Sequence, residues 1–243
     1  MSFALYTLGY YPCRSCLPPL QIRKTIVPIL LTSETIPLPA ASTADEDGLV
    51  AVGGILSSQR LREAYSKGIF PWTEDPVTWW SPPVRAVIPV GEVHISSSLE
   101  KRIHSGIFET SIDTDFEQVI RHCAHPHQDD ATWIGETFIE AYTKLHREGI
   151  AHSVECRVNG TLVGGLYGLA IGGMFAGESM FYHQPDASKV ALAALDRHLQ
   201  QCGFHFIDSQ VPNNFTTQMG ALTIPRDEYL KQLDRAHCAS VTF

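Results

Sequence analysis

Basic residues are scarce in this 243-residue chain: 18 Lys and Arg stand against 26 Asp and Glu, for a net charge of −8. A surface coated in positive charge is excluded, although a local basic patch is not. Long apolar runs are missing as well. The nearest approach, Ile26 to Leu31, is interrupted by Pro28 and falls far short of the roughly 20 residues that span a bilayer. Cysteine is thin and scattered. Of six, only Cys13 and Cys16 have Cys-x-x-Cys spacing, and no second pair follows. That gives little support to a zinc site and fits a reducing compartment. No redox chemistry is assigned to the pair, because no helical context follows it. His122, Cys123, His125 and His127 cluster without a partner pair to complete four ligands, so a hydrophilic loop is expected there and no metal. Acidic residues are absent before Glu34. Without the serines and amphipathic pattern of a transit segment, residues 1–35 read as a variable extension.

What is present is 44% hydrophobic, enough to build a core in one large domain or two unequal ones. Three of the four tryptophans, Trp72, Trp79 and Trp80, lie within nine residues. They are either a core staple or an aromatic wall for a flat ligand such as a base. The spacing predicts a helix capped at Ser57, with Leu61, Ala64 and Tyr65 inward and Gly68 as its stop, then a loop through Trp79 and Trp80. After Pro83 the pattern is more regular. Val84 to Ile88 reads as a strand, followed by a helix capped by Asp113 or Thr114 and a helix over Glu136 to His146. Strands follow at Ala151–Val158, Thr161–Leu169 and Met174–Phe181, the first two joined by an Asn159-Gly160 hairpin turn. A helix over Ala187–Gln201, a strand over Phe204–Gln210 and a helix over Arg226–Arg235 complete the chain.

Two of these strands carry polar groups that an ordinary core would not want. Glu178 stands among Met174, Phe175, Met180 and Phe181. Asp208 and Gln210 are two apart, which in an extended strand points both to one side. The set is a candidate reaction centre; the alternative is strand-edge residues facing water. The order helix, helix, three strands, helix, strand resembles N-acetyltransferase-like (GNAT) domains, which move acyl groups onto amines. Their cofactor-using members hold CoA pyrophosphate on a glycine-rich loop. Here that place reads Tyr-His-Gln-Pro-Asp-Ala-Ser at 182–188, with no glycine. The acyl donor is therefore expected not to be CoA.

A long ordered set of blocks resembles the leucyl/phenylalanyl-tRNA–protein transferases. It includes Gly-Ile-Phe-Pro-Trp at 68–72, Trp-Trp-Ser-Pro at 79–82, Thr-Trp-Ile at 132–134 and Ala-His-Ser-Val-Glu at 151–155. It continues with Gly-Glu-Ser-Met-Phe at 177–181, Ala-Ser-Lys at 187–189 and Ile-Asp-Ser-Gln at 207–210. The resemblance runs from about Ile36 to about Leu233. It implies an α+β fold: a small N-terminal domain, 36–83, plus a GNAT-like domain, 84–243, with a central mixed β-sheet flanked by helices. It implies transfer of Leu or Phe from aminoacyl-tRNA to an N-terminal Arg or Lys, marking the acceptor for N-end-rule degradation. A cytoplasmic monomer with no cofactor is expected.

Chemistry and resemblance together nominate residues. The aminoacyl ester is already activated, and an α-amino group is about a tenth neutral at pH 7, so positioning can do much of the work. Gln210 is too weak a base to take a proton but can aim the amine through its carbonyl. Asp208 would orient it or attract the acceptor's charge, and Glu178 would hold an amino group or that cation. Replacing Asp208 or Gln210 is expected to slow transfer with little loss of folding. Leu166, Met180, Leu195 and Ile207 are the expected pocket for the transferred side chain. By resemblance, Trp72 stacks on the terminal adenosine with help from Trp133, and Lys101 and Arg102 contact tRNA phosphates. The chain departs from the family where Ile55 replaces an acid, Ser209 a cysteine, and Ser97 and Glu100 basic residues. That thin basic cluster motivates a rival reading, a non-catalytic binder of tRNA ends or basic N-termini.

Overall fold

The computed structural model describes residues 28–125 and 132–243; Cys13, Cys16 and His127 lie outside them. The fold is α+β, with two sheets. The first is built from β1 (Ile29–Leu31), β2 (Leu49–Gly53), β3 (Phe70–Glu74) and β4 (Val77–Trp80), in the order β1-β2-β4-β3. Its first strand lies inside the stretch 1–35 that was expected to be an extension, and pairs in parallel with β2 through Ile29–Ala51 and Leu31–Gly53. Helix α1 (Ser58–Ser66) crosses between β2 and β3. Its N-cap is Ser57, whose hydroxyl accepts from the Arg60 N–H at 3.2 Å, and it buries Leu61, Ala64 and Tyr65. The expected loop through Trp79 and Trp80 is instead the β3–β4 hairpin. Proline and tryptophan hid it: Pro71 has no N–H for a ladder, yet β3 is an edge strand with a register shift between Pro71 and Thr73, where proline is tolerated.

The second sheet has seven strands: β5 (Val84–Pro89), β6 (Glu109–Ile112), β7 (Ala151–Val158), β8 (Thr161–Ile171), β9 (Met174–Tyr182), β10 (Phe206–Asp208) and β11 (Leu222–Pro225). Their order is β11-β5-β10-β9-β8-β7-β6. The helices are α2 (Ser97–His104), α3 (Phe116–Ala124), α4 (Glu136–Arg147), α5 (Ala187–Cys202), α6 (Asn214–Gln218) and α7 (Arg226–His237). The run α3-α4-β7-β8-β9-α5-β10 is the order expected of a GNAT-like domain. One core cluster joins α3, α4 and α7 to the small N-terminal sheet and α1; the other joins α5 and α2 to the opposite sheet face. The expected cap at Asp113 is not made. α3 starts after Asp115 with no side-chain cap, and the Asp113 carboxylate instead accepts from the Ser153 N–H at 2.8 Å and lies 2.7 Å from His152 Nδ1. Among the described residues no helix is long and apolar enough to cross a membrane.

β9 pairs in parallel with β10 only at 174–176, then runs on to Tyr182 while the partner chain turns away. A register shift in the β8–β9 pairing brings Gly168 opposite Gly177, next to Glu178. A Cβ at Gly168 would stand 2.2 Å from the Ala176 carbonyl oxygen and 2.5 Å from the Phe175 ring. Backbone cannot yield as a side chain can, so Gly168→Ala should destabilise the fold by about 2–3 kcal/mol. Urea unfolding would read this, and an unchanged midpoint would refute the steric argument.

Candidate active site

An arginine lies buried within the larger sheet, one strand in from its edge. Arg85 of β5 is 1% exposed, and Asp208 at the end of the neighbouring β10 is 0% exposed. The guanidinium binds the carboxylate at both ends, Nε to Oδ1 at 3.1 Å and Nη2 to Oδ2 at 2.6 Å. Burial opposes the arginine's charge, but the Asp208 carboxylate more than offsets this and holds its pKa above the usual value. Tyr229 donates to Oδ2 at 2.8 Å, and the Gln210 backbone N–H donates to Oδ1 at 2.9 Å. The other arm of Arg85 donates to the Gly68 carbonyl at 2.9 Å. The cation also lies over the Phe70 and Tyr229 rings, at 4.9 and 4.2 Å.

This pairing corrects two expectations. Asp208 and Gln210 do not share a sheet face through strand alternation, because β10 ends at Asp208 and Gln210 has φ 63°, in the left-handed region. The turn swings the Gln210 side chain towards β9, where Nε2 donates to Glu178 Oε1 at 2.8 Å. Asp208 is also closed to solvent and neutralised, so its charge is not displayed to an acceptor. Neither it nor Glu178 is a strand-edge group facing water.

Glu178 is 1% exposed. Tyr142 of α4 donates to its Oε2 at 3.3 Å, and Tyr142 is in turn hydrogen-bonded to Tyr65 of α1. Burial pushes the Glu178 carboxyl up to about 8; Asp208 adds to the rise, while the Tyr65 and Tyr142 hydroxyls and Arg85 oppose it. At neutral pH it is mostly an uncharged carboxylic acid. A cation docked beside it would favour the ionised form, as Arg85 already does in part.

Leu166, Met180, Leu195 and Ile207 are gathered in one apolar cluster, each at most 2% exposed. The cluster belongs to the α5 face, while Asp208 points to the other: Ile207 and Asp208 are successive residues of one strand. Trp72 and Trp133 lie half-buried at the edge of the first cluster, Trp72 edge-on to Trp80 at 5.3 Å and Trp133 edge-on to Phe138 at 5.0 Å. The Glu74 carboxylate presses on Gly135, so the chain just after each tryptophan meets the other. Lys101 and Arg102 stand on α2, exposed and partly exposed. Among the described residues no group of three His, Cys, Asp or Glu is placed to hold a metal ion. His122 and Cys123 belong to α3, not a loop, and burial raises the Cys123 thiol to about 12.

Arg85, Tyr65, Tyr142 and Tyr229 were missed from sequence. Only Arg85 left a signal: a charge inside the apolar strand Val-Arg-Ala-Val-Ile requires a buried partner.

A sequence model described as leucyl/phenylalanyl-tRNA protein transferase matches residues 87–234, and one for the N-terminal domain of that protein matches residues 54–83. A relative from Pseudomonas putida (strain W619), a leucyl/phenylalanyl-tRNA–protein transferase, is 48% identical over 219 residues, covering 86% of this chain and 97% of its own. The chain belongs to the leucyl/phenylalanyl-tRNA–protein transferase family. Another relative of the same name, from Syntrophotalea carbinolica, is 45% identical over 214 residues, covering 86% of this chain and 93% of its own. Two solved structures with a similar fold are far more distant. L-PGS from Bacillus licheniformis is 10% identical with a TM-score of 0.42, covering 74% of this chain and 70% of its own. A GCN5-related N-acetyltransferase from Kribbella flavida is 11% identical with a TM-score of 0.38, covering 68% and 59%.

Two predictions follow from the geometry of this family member. Arg85→Met strands the Asp208 carboxylate and should cost about 3–5 kcal/mol, whereas Arg85→Met with Asp208→Leu should recover much of the loss. Chemical denaturation of both variants checks this, and a double variant as unstable as the sum of the singles contradicts it. Glu178 has its folded pKa raised from 4.5 to about 8, so it binds more protons folded than unfolded between those values. Its contribution to stability is complete below about 4.5 and is lost as pH rises through about 8. Glu178→Gln should flatten the fall in Tm between pH 5 and pH 8; parallel Tm profiles for the two proteins would disprove it.

Proposed function

We propose that this protein transfers leucine or phenylalanine from aminoacyl-tRNA to the N-terminal Arg or Lys of acceptor proteins, marking them for N-end-rule degradation. It works as a cytoplasmic monomer, with no CoA and no metal. The observation that carries the reading is the Asp208–Gln210–Glu178 network at the parting of β9 and β10, within a chain of this family. In this reading residues 36–83 form the small domain that supplies Trp72, and 84–243 form the transferring domain.

The reaction needs little acid–base strength. The α-amino lone pair attacks the ester carbonyl carbon, the C–N bond forms, and the C–O bond to the ribose breaks. The proton lost by the amine ends on the ribose hydroxyl. An amine with an ordinary pKa near 7.7–8.0 is already partly neutral. With its Nε2 committed to Glu178, Gln210 offers the amine its carbonyl oxygen. Glu178, uncharged at neutral pH, holds that carboxamide in place, and Asp208 fixes the turn by accepting from the Gln210 N–H. These two are positioning residues, and the acceleration comes from orientation of amine and ester. Leu166, Met180, Leu195 and Ile207 take the Leu or Phe side chain. Such a pocket separates similar apolar groups by only about 1–3 kcal/mol, which suits a protein that uses both. Trp72 and Trp133 stack on the terminal adenosine, and Lys101 and Arg102 meet tRNA phosphates.

The assay is leucyl-tRNA with a peptide that begins with Arg, read by mass for one added leucyl residue. Transfer is expected, and transfer from acetyl-CoA in its place overturns the proposal. Binding of both substrates without turnover would favour the non-catalytic binder that the thin basic cluster on α2 suggests. Gln210→Ala should lower kcat about 100-fold with tRNA binding retained. For Asp208 the usable variant is Asp208→Asn, since removing its side chain outright leaves Arg85 buried and unpaired.

A further inference from the structure

Beyond the reaction centre, a cleft of about 460 Å³ opens between the β9–α5 turn and α6, lined by Tyr182, Asp186, Lys189, Asn214, Phe215 and Gln218. Its position is set by topology. β9 and β10 are parallel and adjacent only at 174–176 and 206–208, and then diverge. In open sheets the crevice outside the C-terminal ends of such strands is where ligands settle. Asn214 begins α6 only four residues after Gln210, so one wall of the cleft is the same chain that carries the carboxamide.

The charges at this corner are unusual for a protein of net charge −8. One carboxylate, Asp186, is shared by two cations: Lys189 Nζ at 3.3 Å and Arg102 Nε at 3.7 Å. Arg102 arrives from α2, with Lys101 beside it in sequence. The surplus is positive. Half-exposed pairs of this kind are worth about 0–1 kcal/mol each, so either cation can turn to a better anion at little cost. The Asp186 side chain makes no capping bond to α5, and its backbone sits at φ 70°, a region asparagine also tolerates.

We infer that this cleft holds the phosphodiester backbone of the single-stranded tRNA 3′ end, with Lys189 contacting a phosphate alongside Arg102. Tyr182 and Phe215 give the bases ring surface to lie against. The inference rests on the proposed transfer reaction. A basic acceptor peptide fits the cleft poorly, because its Arg or Lys would meet Lys189 and Arg102. A phosphate chain meets surplus positive charge instead, continuous with α2.

The test uses the full chain and two variants of opposite sign. Lys189→Glu should weaken leucyl-tRNA binding about tenfold and reduce the slope of log affinity against log salt by about 0.7. Asp186→Asn frees both cations, so it should tighten binding and steepen that slope. A merely structural aspartate would give weaker binding or no change. In transfer assays, Lys189→Glu should lower kcat/KM for leucyl-tRNA about tenfold relative to a phosphate-free donor, the 3′-leucyl ester of adenosine. Equal losses with both donors, or a rise in KM confined to the Arg-ended peptide, would overturn the inference, the second result giving the cleft to the acceptor. Binding is measured without turnover. Wild-type protein that binds leucyl-tRNA with these salt effects but transfers nothing would sink the transferase reading and leave the cleft assignment standing.

Discussion

A guanidinium and a carboxylate shut away from water set the terms for the rest of this molecule. Each would lose several kcal/mol of hydration if buried alone. Together they are tolerable only because almost every polar atom has a partner: two bonds between Arg85 and Asp208, one from Tyr229, one from the Gln210 N–H and one to the Gly68 carbonyl. The last of these reaches into the small N-terminal unit. The pair therefore ties the two sheets together as well as closing the end of β10. It also holds Gln210 in the left-handed region, which on its own costs a non-glycine residue about 1–3 kcal/mol.

From that fixed point the chemistry is a matter of reach. The strained turn delivers the Gln210 carboxamide to Glu178 across the gap where two parallel strands separate. The tyrosines behind Glu178 satisfy one oxygen while the apolar surroundings keep the group protonated. The result is a rigid, nearly uncharged hydrogen-bonding surface rather than a strong base. Such a surface suits an ester already activated by its attachment to ribose. The apolar cluster that would receive the transferred side chain is filled and closed. In the proposed reaction, a leucyl group entering there exchanges its contacts for those between Met180, Leu195 and their neighbours.

In the proposed reaction, recognition is divided between stacking and charge. Trp72 and Trp133 stand on one side of the parting strands, and Lys189 with Arg102 stands on the other. A mostly acidic protein can still attract a polyanion if its few cations are collected along one path. Asp186 holds two of these cations at once.

How much of this could be read from the chain alone varies by element. β7, β8, β9, α4 and α5 were legible because each announces itself locally: apolar alternation, an Asn-Gly turn, a helical stripe ended by glycine. β3 and β4 were not, since a proline and two bulky tryptophans disguise a hairpin that is stable only against its neighbours. β10 looked seven residues long because nothing local says that Asp208 will stop it. Arg85 and Asp208 are 123 positions apart, and no periodicity links them. The sequence by itself determined the family, the order of the longer elements from α3 to β10 and the identity of the polar residues, since those lie in short-range pattern and composition. Only the tertiary structure decided which face each group occupies, which carboxylate meets the arginine and which meets the tyrosines. Burial and distance between remote residues settle those questions, and they come into being only once the sheet has formed.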